Sequence, residues 1–474
     1  MIAESILDID LYEAAARIRG KFISSFELTT MCLKRIDRLQ SRLKCFISLD
    51  PDRALAAARK ADTQLARGDR LGPLHGVPVA HKDVFYRAGR VTTCGSAILR
   101  DFVPNATAIV LERMDRAGAI ELGTLNLAEF AAGGTGHNMH YGDCSNPWNT
   151  AYTPGGSSSG SACAVASRMI FGSLGTDTAG SVRWPASLCG VVGLRPTLGL
   201  IPTSGVMPRA WSLDTVGPIA RSVRDCARIL DVIGSGDSDE QPQKPAYEGA
   251  AGKSVGDYRV GVPISFFSDD VPDETRSALS SSLDVFRRLG VKILPVPVPD
   301  PVLAFSFGDV LAKTEAARLH RGWLRDRPGE YGPGIRSQLE SGLSIPAARY
   351  REALRMRGPM LVQFVDSVFR SVDALHIPVH PHVPPTMDDC APRSEEKVAE
   401  FWATYPRFTR PISYLGLPAL TLPCGIFSCG VPIGMQLVGR PFGEAALFAL
   451  GHAYQQQTQW HVMSPSVSAA IEQF

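Results

Sequence analysis

Three short stretches of this chain carry side chains that could do chemistry together. Thr153-Pro154-Gly155-Gly156-Ser157-Ser158-Ser159-Gly160-Ser161 and Gly175-Thr176-Asp177-Thr178-Ala179-Gly180-Ser181-Val182-Arg183 are Gly/Ser clusters flanking a short apolar segment. Val79-Ala80-His81-Lys82-Asp83 places a lysine upstream of both. A serine hydroxyl is nearly inert alone: to attack a carbonyl it needs a base, and the oxyanion that forms needs N–H donors. Thr178, Ala179 and Gly180 are small enough to turn tightly, so their N–H groups can converge beside the Ser181 hydroxyl. One such donor contributes about 3 kcal/mol. Lys82 is a base only when neutral, which takes about 4 kcal/mol of differential stabilisation. Burial can provide it, and Val79, Ala80, Val84 and Phe85 around Lys82 are apolar. Asp83 would oppose the shift, but alternation along a strand turns it to the other face. Asp177 and Arg183 bracket the second cluster and are expected to pair inside its loop.

Gly/Ser clusters alone are usually flexible loops; here the order and spacing of all three stretches, with Gly190-Val191-Val192-Gly193-Leu194-Arg195-Pro196-Thr197 behind them, carry the argument. The pattern resembles the amidase signature family of serine hydrolases, over nearly the whole chain. The resemblance implies Ser181 as nucleophile, Ser157 as proton relay preceded by a cis peptide bond, and Lys82 as the final base, with no histidine. It implies an oxyanion hole at Thr178, Ala179, Gly180 and Ser181, and an acyl pocket walled by backbone near Ala131 and Gly133. It further implies an α/β fold with a central mixed β-sheet covered by helices on both faces. That fold would be one domain over residues 1–474, with a more variable helical substrate funnel at about 301–389. No cofactor and no metal are expected. Two positions depart from the family pattern: Ala179, where glycine is usual, and Ser413, where asparagine is usual.

Other chemistries fit less well. A phosphate loop would need Gly-Lys-Ser/Thr at its end, which Gly155–Gly160 lacks. Cys163 and Cys189 have no histidine in a suitable context and are expected in the core. His376, His380 and His382 invite a metal, with His380 and His382 on one strand face, but no acidic or thiol ligand lies among them. His81 is expected to be a packed histidine, and Tyr141, Trp148 and Trp211 to be core.

Within the family, Glu315-Ala316-Ala317-Arg318-Leu319-His320, Tyr331-Gly332-Pro333-Gly334 and Gly133-Gly134-Thr135-Gly136-His137-Asn138 resemble free-standing hydrolases of amides, carbamates and urethanes, with esterase side activity. The alternatives are the A subunit of a tRNA-dependent amidotransferase, or a partner-dependent scaffold that only binds. Intact Lys82, Ser157 and Ser181 speak against the scaffold.

The elements that must position these groups follow from periodicity. Ser24 and Glu27 form a capping box before Leu28, Cys32, Ile36, Leu39 and Leu43 at helical spacing. Helices are expected over 52–67, 107–117, 311–327, 345–369 and 443–457, with a buried strand at 76–81 delivering Lys82 and another at 119–122. The stretch 415–439 is uncharged, but its prolines and glycines split it into two strands, 418–423 and 431–438, rather than a membrane span. Residues 234–253 are expected to be a polar surface loop. Formal charge is +2 on 49 basic and 47 acidic residues, so no strong field favours nucleic acid or anionic lipid. The N-terminal residues lack a secretory pattern, and the ten cysteines are scattered. The resulting expectation is a cytoplasmic protein with reduced thiols and a small-molecule substrate, no nucleic-acid or membrane partner, and a homodimer as one option.

Overall fold

The computed structural model describes residues 4–234, 247–391, 401 and 403–465. The polar stretch expected as a surface loop falls mainly on 235–246, outside the described residues; Gly234 ends a helix and Tyr247–Ala250 is helical. The eleven strands in chain order are β1 (Phe46–Leu49), β2 (Pro78–Lys82), β3 (Ile120–Leu125), β4 (Gly172–Asp177), β5 (Val192–Arg195), β6 (Thr215–Ala220), β7 (Arg259–Pro263), β8 (Lys292–Val296), β9 (Ala374–Pro378), β10 (Ala419–Ile426) and β11 (Pro432–Gly439). They form one mixed sheet in the order β1-β3-β2-β4-β6-β5-β10-β11-β9-β7-β8, with helices on both faces. β2 runs parallel to both β3 and β4, while β4 to β6 and β10 to β11 are antiparallel.

The central strands are buried along their whole length. They read as continuous apolar or small-residue runs rather than alternating ones, as strands covered on both faces do. The uncharged 415–439 stretch is the β10–β11 hairpin, and its prolines sit at strand ends and at a register shift after Pro423. Among the described residues no helix is long and apolar enough to cross a membrane.

The capping box at Ser24 and Glu27 is formed, and Leu28, Cys32, Ile36, Leu39 and Leu43 are the buried stripe of helix Ser25–Leu43. Helix Pro51–Arg67 is capped by Asp50, with Pro51 in the first turn where its missing N–H is no loss. Where 311–327 was expected, the helix is Pro301–Asp326, begun by another first-turn proline. Helix Ala347–Val368 contains Pro359.

Two connections carry the serines. Helix Ser159–Ala166 is wholly buried. A Cβ on Gly160 would lie 2.3 Å from the Cys45 carbonyl oxygen and 2.6 Å from the Asn126 nitrogen, so only glycine lets this helix pack so closely. After β4, residues 178–182 turn into helix Arg183–Cys189. Because β2 and β4 are parallel neighbours, Lys82 and Asp177 end at the same edge of the sheet, between these two helices.

Candidate active site

Lys82, the last residue of β2, is buried with its Nζ 2.7 Å from Ser157 Oγ and 2.9 Å from Thr176 Oγ1. The Gly156–Ser157 peptide is cis, as the resemblance implies. Burial is the largest influence on the ammonium and lowers its pKa to about 7, against weaker opposing pulls from Asp214, Asp177 and Cys94. Asp83 adds no ion pair: it accepts from the Thr93 backbone N–H at 2.9 Å and the Thr93 hydroxyl at 2.5 Å, on the opposite side of β2. His81 is packed as expected. Its Nδ1 accepts from the Leu174 N–H at 3.1 Å, and burial lowers its pKa to about 4.

Thr176 is a site residue that no sequence pattern singles out. It lies within the Gly175-Thr176-Asp177 run, and its role depends on β4 lying beside β2, a pairing between residues 94 positions apart. The second hydroxyl fixes the direction of the amine without adding charge.

The Ser181 loop is organised by one carboxylate. Asp177 Oδ1 accepts from the Gly180 N–H at 2.9 Å and Oδ2 from the Val182 N–H at 3.2 Å. Arg183 pairs with it through Nε at 3.0 Å and Nη2 at 3.0 Å. Arg195, a member of the third sequence motif with no expected role of its own, lies 3.2 Å from Oδ1 and donates to the Asp177 carbonyl at 2.5 Å. Asp177, Arg183 and Arg195 are fully buried. Despite its burial, the two guanidiniums hold the Asp177 carboxyl well below the usual carboxylate range.

This arrangement corrects the expected oxyanion hole. The Gly180 N–H is committed to Asp177, leaving Thr178, Ala179 and Ser181 as the loop residues whose N–H groups donate to no protein acceptor among the described residues. Gly180 is needed for another reason: its φ is +139°, and a Cβ there would lie 2.3 Å from Trp184 Cε2. Ala179 is not among the positive-φ residues, so its methyl is accommodated without backbone strain. Its carbonyl accepts from Thr409 Oγ1 at 2.5 Å. The departure at Ser413 is absorbed as well: its Oγ accepts from Arg183 Nη2 at 2.7 Å and donates to the Thr409 carbonyl at 3.1 Å. The loop and the preceding serine segment are joined by the Ser158 N–H, which donates to the Ser181 carbonyl at 3.2 Å.

Ser181 opens onto a small cavity of about 30 Å³ that it shares with Ala131, Ala132, Thr178, Ala179 and Trp184. Phe130 and Ala131 both adopt positive φ, 51° and 56°. Gly133 does not line this cavity; with Gly134, Ile335 and Phe401 it lines an adjoining apolar one of about 180 Å³. Of the two residues expected to wall an acyl pocket, Ala131 lines the Ser181 cavity and Gly133 the adjoining one.

The histidine run is dispersed. β9 ends at Pro378, so His380 and His382 share no strand face. His376 bonds Ser282 Oγ at 2.7 Å, and His380 packs against Tyr405. The one group of potential metal ligands among the described residues is a different one: the buried thiols of Cys45, Cys144 and Cys163, within 4.8 Å of one another. Cys189 Sγ is 3.7 Å from Cys163 Sγ, so these cysteines are clustered in space although scattered in sequence. Trp211, expected in the core, is half exposed beside a cavity with Asp214 and Arg209.

The amidase family pattern matches residues 27–448. The chain belongs to the amidase signature family. It is 36% identical to the A subunit of the glutamyl-tRNA(Gln) amidotransferase of Methylococcus capsulatus, over 96% of this chain and 98% of that one. The protein of that name from Thiobacillus denitrificans is also 36% identical, over 96% and 98%. Among solved structures, the peptide amidase of Stenotrophomonas maltophilia superposes with a TM-score of 0.81 at 28% identity, covering 96% of this chain and 98% of the other. The corresponding glutamyl-tRNA(Gln) amidotransferase chain of Thermotoga maritima gives 0.80 at 29%, covering 98% of each. The chain is thus an amidase-family enzyme acting on C–N bonds. The expectation of a small-molecule substrate with no nucleic-acid partner is overturned: these curated relatives are named as subunits of an enzyme named for a tRNA.

Proposed function

We propose that the chain cleaves an amide C–N bond through an acyl-enzyme on Ser181, and that it does so as the amide-cleaving member of a tRNA-dependent amidotransferase. The observation that carries the chemistry is the buried Lys82 amine, 2.7 Å from Ser157 Oγ with its pKa lowered to about 7. Neutral Lys82 takes the Ser157 proton as Ser157 takes that of Ser181, and Ser181 attacks the carbonyl. The Thr178, Ala179 and Ser181 N–H groups receive the oxyanion. The proton returns through Ser157 to the leaving nitrogen, and a nucleophile, water or a second acceptor, then releases the acyl group. Gly180, Asp177, Arg183 and Arg195 hold the loop in shape.

The role within a larger amidotransferase is supported by the names and near full-length match of the curated relatives. Cleavage of a small amide without transfer is the second reading. The likeness to peptide amidase, and to 6-aminohexanoate cyclic dimer hydrolase at a TM-score of 0.87 and 25% identity, favours it. Two measurements test these readings. A fluorophosphonate probe should label Ser181 and lose that label in Ser181→Ala; labelling at another residue removes the mechanism. The chain is then combined with the remaining subunits of a relative's amidotransferase, a small amide as nitrogen donor, ATP to activate the carboxylate, and charged glutamyl-tRNA(Gln). Amidated aminoacyl-tRNA is the expected product, and release of free ammonia alone selects the second reading.

A further inference from the structure

Three thiols that lie far apart in sequence meet in the interior. Cys45 follows helix Ser25–Leu43 and precedes β1, Cys144 lies in the irregular stretch before the first serine cluster, and Cys163 sits in helix Ser159–Ala166. All three are 0% exposed, and their sulfurs lie within 4.8 Å of one another. The backbone around them is tied down. Asn126 donates from Nδ2 to the Lys44 and Gly142 carbonyls, each at 2.9 Å, and from its N–H to the Cys45 carbonyl at 2.7 Å. The Cys144 N–H donates to the Gly136 carbonyl at 2.8 Å. Gly160, which has no Cβ to meet the Cys45 carbonyl, lets the helix bearing Cys163 close on Cys45. The fold itself thus brings the three sulfurs together.

A buried cysteine by itself is an ordinary small core residue, and Cys32, Cys226 and Cys424 are buried outside this set. Three sulfurs at one point are a ligand set. A tetrahedral zinc ion with sulfurs at about 2.3 Å separates them by about 3.8 Å, so sulfurs already within 4.8 Å of one another need only small side-chain movements. Cys189 Sγ stands 3.7 Å from Cys163 Sγ, the spacing of such an edge. No carboxylate or imidazole belongs to the set, which selects a thiophilic ion over magnesium, calcium or manganese. Charge selects the divalent ion: on the same buried thiolates, zinc leaves one negative charge fewer than copper(I). The buried Ser159 hydroxyl has no hydrogen-bond partner among the described residues and lies beside the Cys144 sulfur. It can donate to a thiolate there, as groups around metal ligands do.

We propose that Cys45, Cys144 and Cys163 form a structural zinc site, with Cys189 at hand for the fourth position. Binding forms one Zn–S bond per cysteine and releases one proton from each thiol to solvent, with no oxidation or reduction. The ligands are closed off in the folded chain, so the ion is taken up as the chain folds. It then joins the end of helix Ser25–Leu43, the stretch leading into the first serine cluster, and helix Ser159–Ala166 behind Ser157. None of Lys82, Ser157 and Ser181 belongs to the set, so the ion acts on stability and takes no part in the reaction. The inference is independent of Ser181 being the nucleophile.

The test expresses the full, untagged chain in minimal medium supplied with zinc, with cobalt(II) in its place, or with neither. Zinc-grown protein should carry about one zinc per chain by elemental mass spectrometry, as a closed thiolate site holds its ion through purification. Cobalt-grown protein should show sulfur-to-cobalt charge-transfer absorption in the near ultraviolet. Metal-free protein should melt lower by about 5 °C or more, with kcat well below the melting temperature unchanged. Cys45→Ser, Cys144→Ser and Cys163→Ala should each lower bound cobalt by about tenfold or more and remove the band, while Cys226→Ser keeps both. Circular dichroism shows whether each variant is folded; if the three are not, the metal content and cobalt band of the wild-type chain decide. Wild-type protein with neither metal nor band overturns the site. So does a full complement of cobalt without the thiolate band, which places the ion on nitrogen or oxygen ligands, and so does a band that survives all three substitutions.

Discussion

Lys82 meets two opposing demands: it must be buried to be neutral, and it must stay hydrogen-bonded to be useful. Ser157 and Thr176 satisfy the second demand without charge. Activity should therefore rise with pH through about 7, because the neutral fraction of Lys82 grows as pH passes its lowered pKa. Lys82→Ala should lower kcat about a thousandfold and remove this rise. Lys82→Arg should not rescue it, since a guanidinium keeps its proton in this range. A variant Lys82→Ala with an unchanged pH–rate profile would make the lysine a structural cation only. Thr176→Val leaves Lys82 with one hydroxyl partner and should lower kcat about tenfold with little change in KM; a pure KM effect would move Thr176 from the base to substrate binding.

At the scale of elements, the loop between β4 and helix Arg183–Cys189 is shaped by Asp177, which two buried arginines and two backbone N–H groups converge upon. Removing one member leaves buried charges unpaired. Asp177→Asn should lower stability by about 3–5 kcal/mol, seen as a fall in the denaturant midpoint. A shift within experimental error would mean the network is solvated. Gly180→Ala places a methyl into Trp184 at positive φ and should abolish probe labelling of Ser181. Retained labelling would show that the loop relaxes around the added methyl. The helices that wall the cavity come from far along the chain: Pro301–Asp326 brings Asp309 and Lys313, and Arg410–Leu415 brings Arg410.

At the scale of the molecule, the eleven-stranded sheet gathers the parallel strand ends of β2 and β4 at one edge and sends β9 elsewhere. The histidines that looked like a metal site from sequence are thereby separated, His376 onto a serine and His380 onto a tyrosine. Amide cleavage should survive prolonged chelation. Activity lost to a chelator and restored by zinc would mean that the Ser157–Lys82 relay is incomplete.

By itself the sequence pointed to the proposed chemistry. Glycine and serine runs of fixed order, with a lysine among apolar neighbours, leave few other uses for Lys82, Ser157 and Ser181. Periodicity and proline placement marked the capped helix Ser25–Leu43 and the β10–β11 hairpin, because local hydrogen bonding and burial repeat along the chain. Only the tertiary structure decided which partners meet. Thr176 reaches Lys82 through strand pairing, Arg195 reaches Asp177 from another strand, and the Gly180 N–H is claimed by a carboxylate three residues away. Arg410 joins Asp309 and Lys313 across about a hundred residues of chain. Strand order and helix docking are set by the fit of distant buried surfaces, and no local pattern in the chain records that fit.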